Sequence, residues 1–265
     1  MTDHSIQCYP RNIMHLLKPK SLDILKSLFV IIFLYTLVVL IWPFFWGNYY
    51  SPTLPPTNPG IIYNKSLFPS QKSIFRAVVL GDSTALGQGT DSVKKSFGYQ
   101  YLLTRPNLKD QNWSFENKAI SGVKIAEVLE RQLDFEPVEL VMVSVGANDI
   151  TGNTKSSDFK SSVDKLAYKL QSKAKQVIWL NIPDFVTSPI LLPPLNYILS
   201  EREHELNEII NNAATKSGYQ IVDVYNKARE PFANYPEKNF GVDKYHPSAA
   251  GYAVWVEVIN QTLKK

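Results

Sequence analysis

The chain has 265 residues, 45% hydrophobic and 20% charged, enough apolar material for a sizeable core and too much for a disordered protein. Its formal net charge of +4 is modest, and residues 1–47 carry half of it through Arg11, Lys18, Lys20 and Lys26 against Asp3 and Asp23, so no nucleic-acid footprint is expected. Cys8 is the only cysteine and the four histidines stand at no ligand spacing, which excludes an intramolecular disulfide and argues against a metal; no cofactor is expected.

In chain order, residues 1–26 read as a short cytoplasmic segment and residues 27–47 as a transmembrane anchor. Ser27 to Trp46 is uncharged over 20 residues, about the length a helix needs to cross the hydrocarbon core. Trp42, Trp46, Tyr49 and Tyr50 suit the headgroup level, and Pro43 is tolerable near a helix end. A cleaved signal peptide is the alternative, but the apolar stretch is long for one and no small-x-small cleavage site follows. The basic residues precede the helix, so the N-terminus is expected in the cytoplasm and the rest of the chain on the other side.

Residues 48–71 hold Pro52, Pro55, Pro56, Pro59 and Pro69 and read as a semi-rigid spacer, or alternatively as an irregular strap on the domain surface. From residue 72 to 265 a single domain is expected. Apolar runs at Ala77–Leu80, Leu140–Val145, Val177–Ile182 and Tyr219–Val224 read as buried strands, with a weaker one at Phe115–Ile120. Between them run helical stripes: Ile125, Val128, Leu129 and Leu133; Phe159, Val163, Leu166 and Leu170; Leu206, Ile209, Ile210 and Ala213. A last helix follows Pro247, with Tyr252, Trp255, Val256, Ile259 and Leu263 inward. Such alternation predicts an α/β fold with a five-stranded parallel sheet between two helical layers.

Ligands of such sheets bind beyond the carboxyl ends of the strands. There the sequence places Gly81-Asp82-Ser83-Thr84, Ser121-Gly122, Gly146-Ala147-Asn148-Asp149 and Asp243-Lys244-Tyr245-His246-Pro247. A serine nucleophile needs a base, and the base needs an acceptor that fixes its tautomer. His246 and Asp243, three residues apart on one segment, can serve Ser83. The Ser83 and Gly122 amides and the Asn148 side chain are candidate oxyanion donors. Each element alone reads as an ordinary turn or helix cap; the four together, each at a strand end, point to a site.

Four blocks resemble the SGNH or GDSL-type serine hydrolases: VVLGDSTALGQG, NKAISG, VSVGANDI and DKYHPSAAGY, spread from Phe75 to Leu263. The resemblance implies a three-layer α/β/α sandwich of flavodoxin-like type and metal-free hydrolysis through an acyl-enzyme. It puts Ser83 at the nucleophile, Asp243 and His246 in the triad, and Gly122 and Asn148 in the oxyanion hole with Ser83. Thr84 departs from it, standing where the family's name motif has leucine.

Gly81, Gly87 and Gly89 fit no phosphate-binding fingerprint, and His204 among Glu201, Glu203, Glu205 and Glu208 reads as a solvated helix face. Phe185 to Leu199 is apolar without a clean period, so it is either a lid or acyl groove or a loop that packs on the domain. The expected partners are a small-molecule, lipid or glycan ester and, through the helix, a membrane. The expected function is a membrane-anchored esterase, lysophospholipase-like or otherwise acting on acyl esters; an O-acetyl esterase or acyltransferase on envelope glycans is the alternative, and a silent binding module the rival class.

Overall fold

The computed structural model describes residues 19–50, 61–65 and 74–264 and divides into two units, Met1–Trp42 and Pro43–Lys265. Helix α1 runs Pro19–Tyr50, and its apolar window is Leu22–Trp42, 21 residues or about 31 Å, long and apolar enough to cross a bilayer. This window begins before the expected anchor at residue 27. Asp23 and Lys26 lie one turn apart with their charges 4.0 Å from each other, so two opposite charges fall inside an otherwise apolar stretch. The large apolar side chains from Leu22 to Leu40 are exposed on every side of the helix, save buried Val39. Such an all-round apolar surface is what lipid accommodates and water does not.

Six strands form one sheet in the order β1-β3-β2-β4-β5-β6. They are β1 (Ile61–Lys65), β2 (Phe75–Gly81), β3 (Trp113–Asn117), β4 (Val138–Ser144), β5 (Ala174–Leu180) and β6 (Gln220–Val222). Strands β2 to β6 are mutually parallel, five as the alternation predicts, in the doubly wound 2-1-3-4-5 order. The sixth is an addition: β1 pairs antiparallel along β3, from Ile61 with Asn117 to Lys65 with Trp113. It lies within the residues read as a spacer. Five residues between Pro59 and Pro69 are too short a run to stand out, and their partner is about 50 positions away in the chain.

Of the further helices, α2 (Ser83–Leu86), α3 (Phe97–Thr104), α4 (Ile125–Arg131), α5 (Ala147–Thr151) and α6 (Ser156–Leu170) precede β5. After it come α7 (Leu195–Lys216), α8 (Val224–Lys227), α9 (Arg229–Asn234), α10 (Pro236–Asn239) and α11 (Ala249–Leu263). One sheet face buries Val79, Phe115, Met142 and Leu180 against Phe97 and Leu102 of α3 and Trp255 and Ile259 of α11. Alternate residues Leu80, Val141, Val143 and Trp179 are fully buried and point the other way, toward α4, α6 and α7. Each large side chain in these layers contributes about 1.5–3 kcal/mol.

The stripe on α6 is buried as its spacing predicts, and so are Leu206, Ile210 and Ala213 of α7, with Ile209 only half-buried. In the 185–199 segment, Phe185, Ile190 and Leu191 are buried, while Tyr197 and Ile198 are exposed on the first turn of α7. Most of it therefore packs on the domain, and its last five residues are helical.

The register levels Gly81, Ser144, Leu180 and Val222 in one row across the carboxyl edge. The chain leaves β2 for β3 on one side and returns to β4 on the other, so the switch point lies between β2 and β4.

Candidate functional site

Ser83 sits at that switch point because β2 has to turn sharply into α2. Gly81 adopts φ +141°, and a Cβ there would stand 1.8 Å from the Ser144 carbonyl oxygen, so only glycine fits beside β4. Asp82 then extends and caps α2, its carboxylate accepting from the Thr84 amide at 2.9 Å and the Thr84 hydroxyl at 2.8 Å. Its own N–H donates to Ser144 O at 3.1 Å. Beneath the turn, fully buried Gln132 accepts from Gly81 N at 2.7 Å and donates to Gly81 O at 2.8 Å. Removing this amide would orphan two buried backbone groups, at about 1–3 kcal/mol each.

The imidazole comes from the segment before α11, whose N-cap Ser248 accepts from Gly251 N at 3.1 Å. Asp243 shapes that segment: one carboxylate oxygen accepts the Tyr245 and His246 amides, each at 3.0 Å. The other lies 2.6 Å from His246 Nδ1, and His246 Nε2 lies 2.8 Å from Ser83 Oγ. Since a carboxylate only accepts, the proton belongs on Nδ1, and Nε2 is left to accept from the serine hydroxyl. Ser83, Asp243 and His246 are all buried to within a tenth of their surface.

Burial pushes the Asp243 carboxyl up, but the His246 hydrogen bond and charge and the two amides outweigh it, so it ionises below its ordinary range. For Asp82 burial wins despite the Thr84 bonds, and its carboxyl is raised. Asp243 differs from Asp82 in bonding the imidazole, 2.6 Å from Nδ1, whereas Asp82 bonds Thr84.

Asn148 stands in α5, just past β4, and donates one amide hydrogen to Val123 O at 3.1 Å, leaving a second for a ligand. Next to it, buried Asp149 accepts from Ile125 N at 3.0 Å, and burial raises its carboxyl. These two bonds fix α5 to the turn that carries Gly122. Gly122 is exposed at φ +80°, with no heavy atom within 4 Å of where its Cβ would be, so a ligand can approach its backbone. Ser83, Asn148 and His246 line one cavity; Gly122 is not on its wall, and is linked to it through Val123.

That cavity has a volume of about 40 Å³ and is lined, besides Ser83, by Val224, Ala228, Phe232, Phe240 and Trp255. These five also belong to the domain's core cluster, so the recess is a dent in the core and not a surface groove. Phe232 and Phe240 meet edge to face with ring centres 5.0 Å apart. Also lining it, Asp184 holds Arg229 Nε at 2.9 Å and the Val186 amide at the same distance. Buried Glu203 of α7 accepts from Phe185 N at 3.0 Å, and burial together with Asp184 pushes its carboxyl up to about 10.

Of the five residues expected from sequence, Ser83, Asn148 and His246 line this cavity, Asp243 stands behind His246, and Gly122 is off its wall. Gln132, Glu203 and Ser144 were not legible as site residues: each acts through a backbone group or side chain more than 15 positions away, and no local spacing announces it. His204 is exposed and faces Glu208 at 3.5 Å, and Glu201 and Glu205 are exposed as expected, but Glu203 is fully buried: the solvated face expected there is interrupted where α7 turns Glu203 inward to the Phe185 amide.

A serine backed by an imidazole and a carboxylate, at the carboxyl edge of a doubly wound α/β sheet, is the architecture of the serine hydrolases. Residues 79–254 match the model of the GDSL-like lipase/acylhydrolase family, and the chain belongs to that family. It is 26% identical over 195 residues to a GDSL-like esterase of Mycobacterium tuberculosis, an alignment covering 71% of this chain and 61% of the relative's length. A lipase/acylhydrolase from Enterococcus faecalis superposes with TM-score 0.56 at 19% identity, over 72% of this chain and 96% of that one. The acetylxylan esterase Axe2 from Geobacillus stearothermophilus does so with TM-score 0.53 at 15% identity, over 72% and 94%. Both likenesses are of fold.

Proposed function

We propose that the protein is a membrane-anchored serine esterase that cleaves short-chain acyl esters through an acyl-enzyme on Ser83. The observation that carries this reading is the hydrogen-bonded chain from Ser83 Oγ through His246 to Asp243, opening on an apolar recess. His246 Nε2 takes the hydroxyl proton as Ser83 Oγ bonds to the ester carbonyl carbon. Asp243 stabilises the imidazolium, and the carbonyl oxygen's charge is met by the Ser83 and Gly122 amides and the free Asn148 hydrogen. The imidazolium then returns the proton to the departing alcohol, and water repeats the sequence to free the acid.

The recess favours a short acyl group over a lipid chain. A water-sized group needs about 10–15 Å³ of such space, so 40 Å³ admits about three. Its carbon-lined walls suit a methyl or ethyl better than a sugar hydroxyl, whose burial without a partner costs about 1–3 kcal/mol. On this reading the glycan or other alcohol stays outside, and only the acyl group enters. The anchor rests on the apolar Leu22–Trp42 window and the basic residues before it, which favour a cytoplasmic N-terminus.

The test is hydrolysis of p-nitrophenyl esters from acetate to dodecanoate by the full chain, extracted with detergent from membranes washed with alkaline carbonate. Turnover is expected to peak between acetate and butyrate, and Phe232→Ala to move the peak at least two carbons longer. A wild-type optimum at decanoate or beyond would point to lipid substrates instead. No turnover by folded protein would favour a binding module, and loss of the chain in the carbonate wash would contradict the anchor.

A further inference from the structure

The mechanism above leaves one charged side chain of the catalytic cavity without a task. Arg229 lines that cavity together with Ser83 and His246, and its side chain is 53% exposed, so it stands where the recess meets solvent. We propose that Arg229 is a specificity residue that recognises an anionic group, a carboxylate or a phosphate, on the alcohol part of the ester. The proposal rests on the Ser83 esterase reading and adds to it the chemical class of the substrate's far end.

The guanidinium is held through one nitrogen. Asp184, whose side chain is 1% exposed, pairs with Nε at 2.9 Å. Asp184 is itself fixed: its other carboxylate oxygen accepts from the Val186 amide at 2.9 Å, and its carbonyl accepts from the Thr187 hydroxyl at 2.7 Å. Among the described residues no hydrogen bond engages the two terminal nitrogens of Arg229. Arginine's donors form a planar fork that matches two oxygens of a carboxylate or phosphate, and pairing Nε with Asp184 leaves those of the terminal nitrogens unspent. Neutralising buried Asp184 accounts for the Nε contact, but not for unbonded donors on the wall of the catalytic cavity.

Glu203 does not compete for this cation. It accepts from the Phe185 amide at 3.0 Å, and with its carboxyl pushed up to about 10 it is neutral near pH 7. Nor does the acyl side offer an anion a place. Phe232, Phe240 and Trp255 line a space of about 40 Å³ that suits a methyl or ethyl, and a charge among them would be desolvated without a partner. The half-exposed guanidinium meets an anion that keeps one side in water, and the part of the substrate outside the recess is the alcohol. Because Asp184 already offsets the cation's charge, discrimination comes from the short-range N–H fork and is modest.

The experiment measures kcat/KM for meta-acetoxybenzoate, meta-acetoxyphenyl phosphate and neutral meta-acetoxybenzamide with the full chain in non-ionic detergent, as wild type, Arg229→Gln and Arg229→Lys. Each anionic-to-neutral ratio is read against the same ratio in Arg229→Gln, which cancels the intrinsic reactivities of the esters. The wild-type ratio should exceed that of Arg229→Gln by about fivefold for the benzoate, the phosphate or both, the upper end for an exposed ion pair. Arg229→Lys keeps the charge but not the fork and should fall between. A gain for one anion alone names the group recognised; equal ratios in wild type and Arg229→Gln for both anions overturn the proposal. If Arg229→Gln does not fold, inhibition of wild-type p-nitrophenyl acetate hydrolysis decides. There meta-hydroxybenzoate or meta-hydroxyphenyl phosphate should bind about fivefold tighter than meta-hydroxybenzamide, and equal or weaker binding of both overturns the proposal. No turnover of any ester by the folded chain would instead bring down the underlying esterase reading.

Discussion

Ser83→Ala and His246→Ala are each expected to lower kcat by about 10⁴–10⁶ with the fold intact, and the double variant to be no worse than either single one. The reason is geometric. The 2.8 Å contact between Ser83 Oγ and His246 Nε2 makes nucleophile and base one device, and removing either leaves the other without a task. What remains is the catalysis from the oxyanion donors and binding, which neither substitution touches. Steady-state kinetics with p-nitrophenyl acetate checks this, with circular dichroism to confirm folding. Additive losses in the double variant would mean that the two residues act independently.

Asp243→Asn is expected to cost about 10⁴ in kcat, although the change is nearly isosteric. An asparagine oxygen still accepts the Tyr245 and His246 amides, as the carboxylate does at 3.0 Å, so the loop should keep its shape. If its NH2 turns toward Nδ1, however, that nitrogen must accept. The proton then sits on Nε2, where Ser83 needs a base. The native carboxyl ionises below its ordinary 3.8, so its contribution to stability is fully present above that value and lost as pH falls through the lowered one. Asp243→Asn should remove this acid sensitivity, which thermal unfolding between pH 2 and 5 would read. Activity within tenfold of wild type would contradict the assigned role.

The parts of the fold that the chain declares are those set by local periodicity. Leu140 to Val143 and Val177 to Leu180 are buried on both faces, so they appear as unbroken apolar runs, and the α6 stripe repeats every three or four residues. Strand β1 is invisible by the same logic, since among the described residues it is an edge strand paired with β3. The helices α8 to α10 are four to six residues long, too short for any period to show, yet Val224, Ala228 and Phe232 from this stretch wall the recess.

Ser83, Gly122 and Asn148 were legible because each follows closely behind a strand end, whereas Asp243 and His246 lie beyond α10, well past β6, and were legible only through their spacing on one segment before a helix. The shape of the recess was not, because it is made by side chains from the 183–188 loop, the 224–232 stretch and α11 meeting in the core. That is why Phe185 to Leu199 reads from sequence as a candidate groove, whereas in the structure Ile190 and Leu191 are simply buried and Phe185 alone of the three lines the cavity. Thr84 shows the remaining limit: the substitution is visible in the sequence, but its contact with the Ser144 hydroxyl, 60 positions away, is not.

The most direct measurement is covalent capture of the nucleophile with diethyl p-nitrophenyl phosphate, followed by peptide mass spectrometry. Attack by Ser83 Oγ forms a phosphorus–oxygen bond and expels p-nitrophenolate, leaving a diethylphosphoryl group on the serine. The account predicts one such group per chain, on the peptide containing Ser83, appearing in step with loss of esterase activity and absent from Ser83→Ala. Inactivation with Ser83 unmodified, or an equal yield of adduct on another residue in Ser83→Ala, would contradict it.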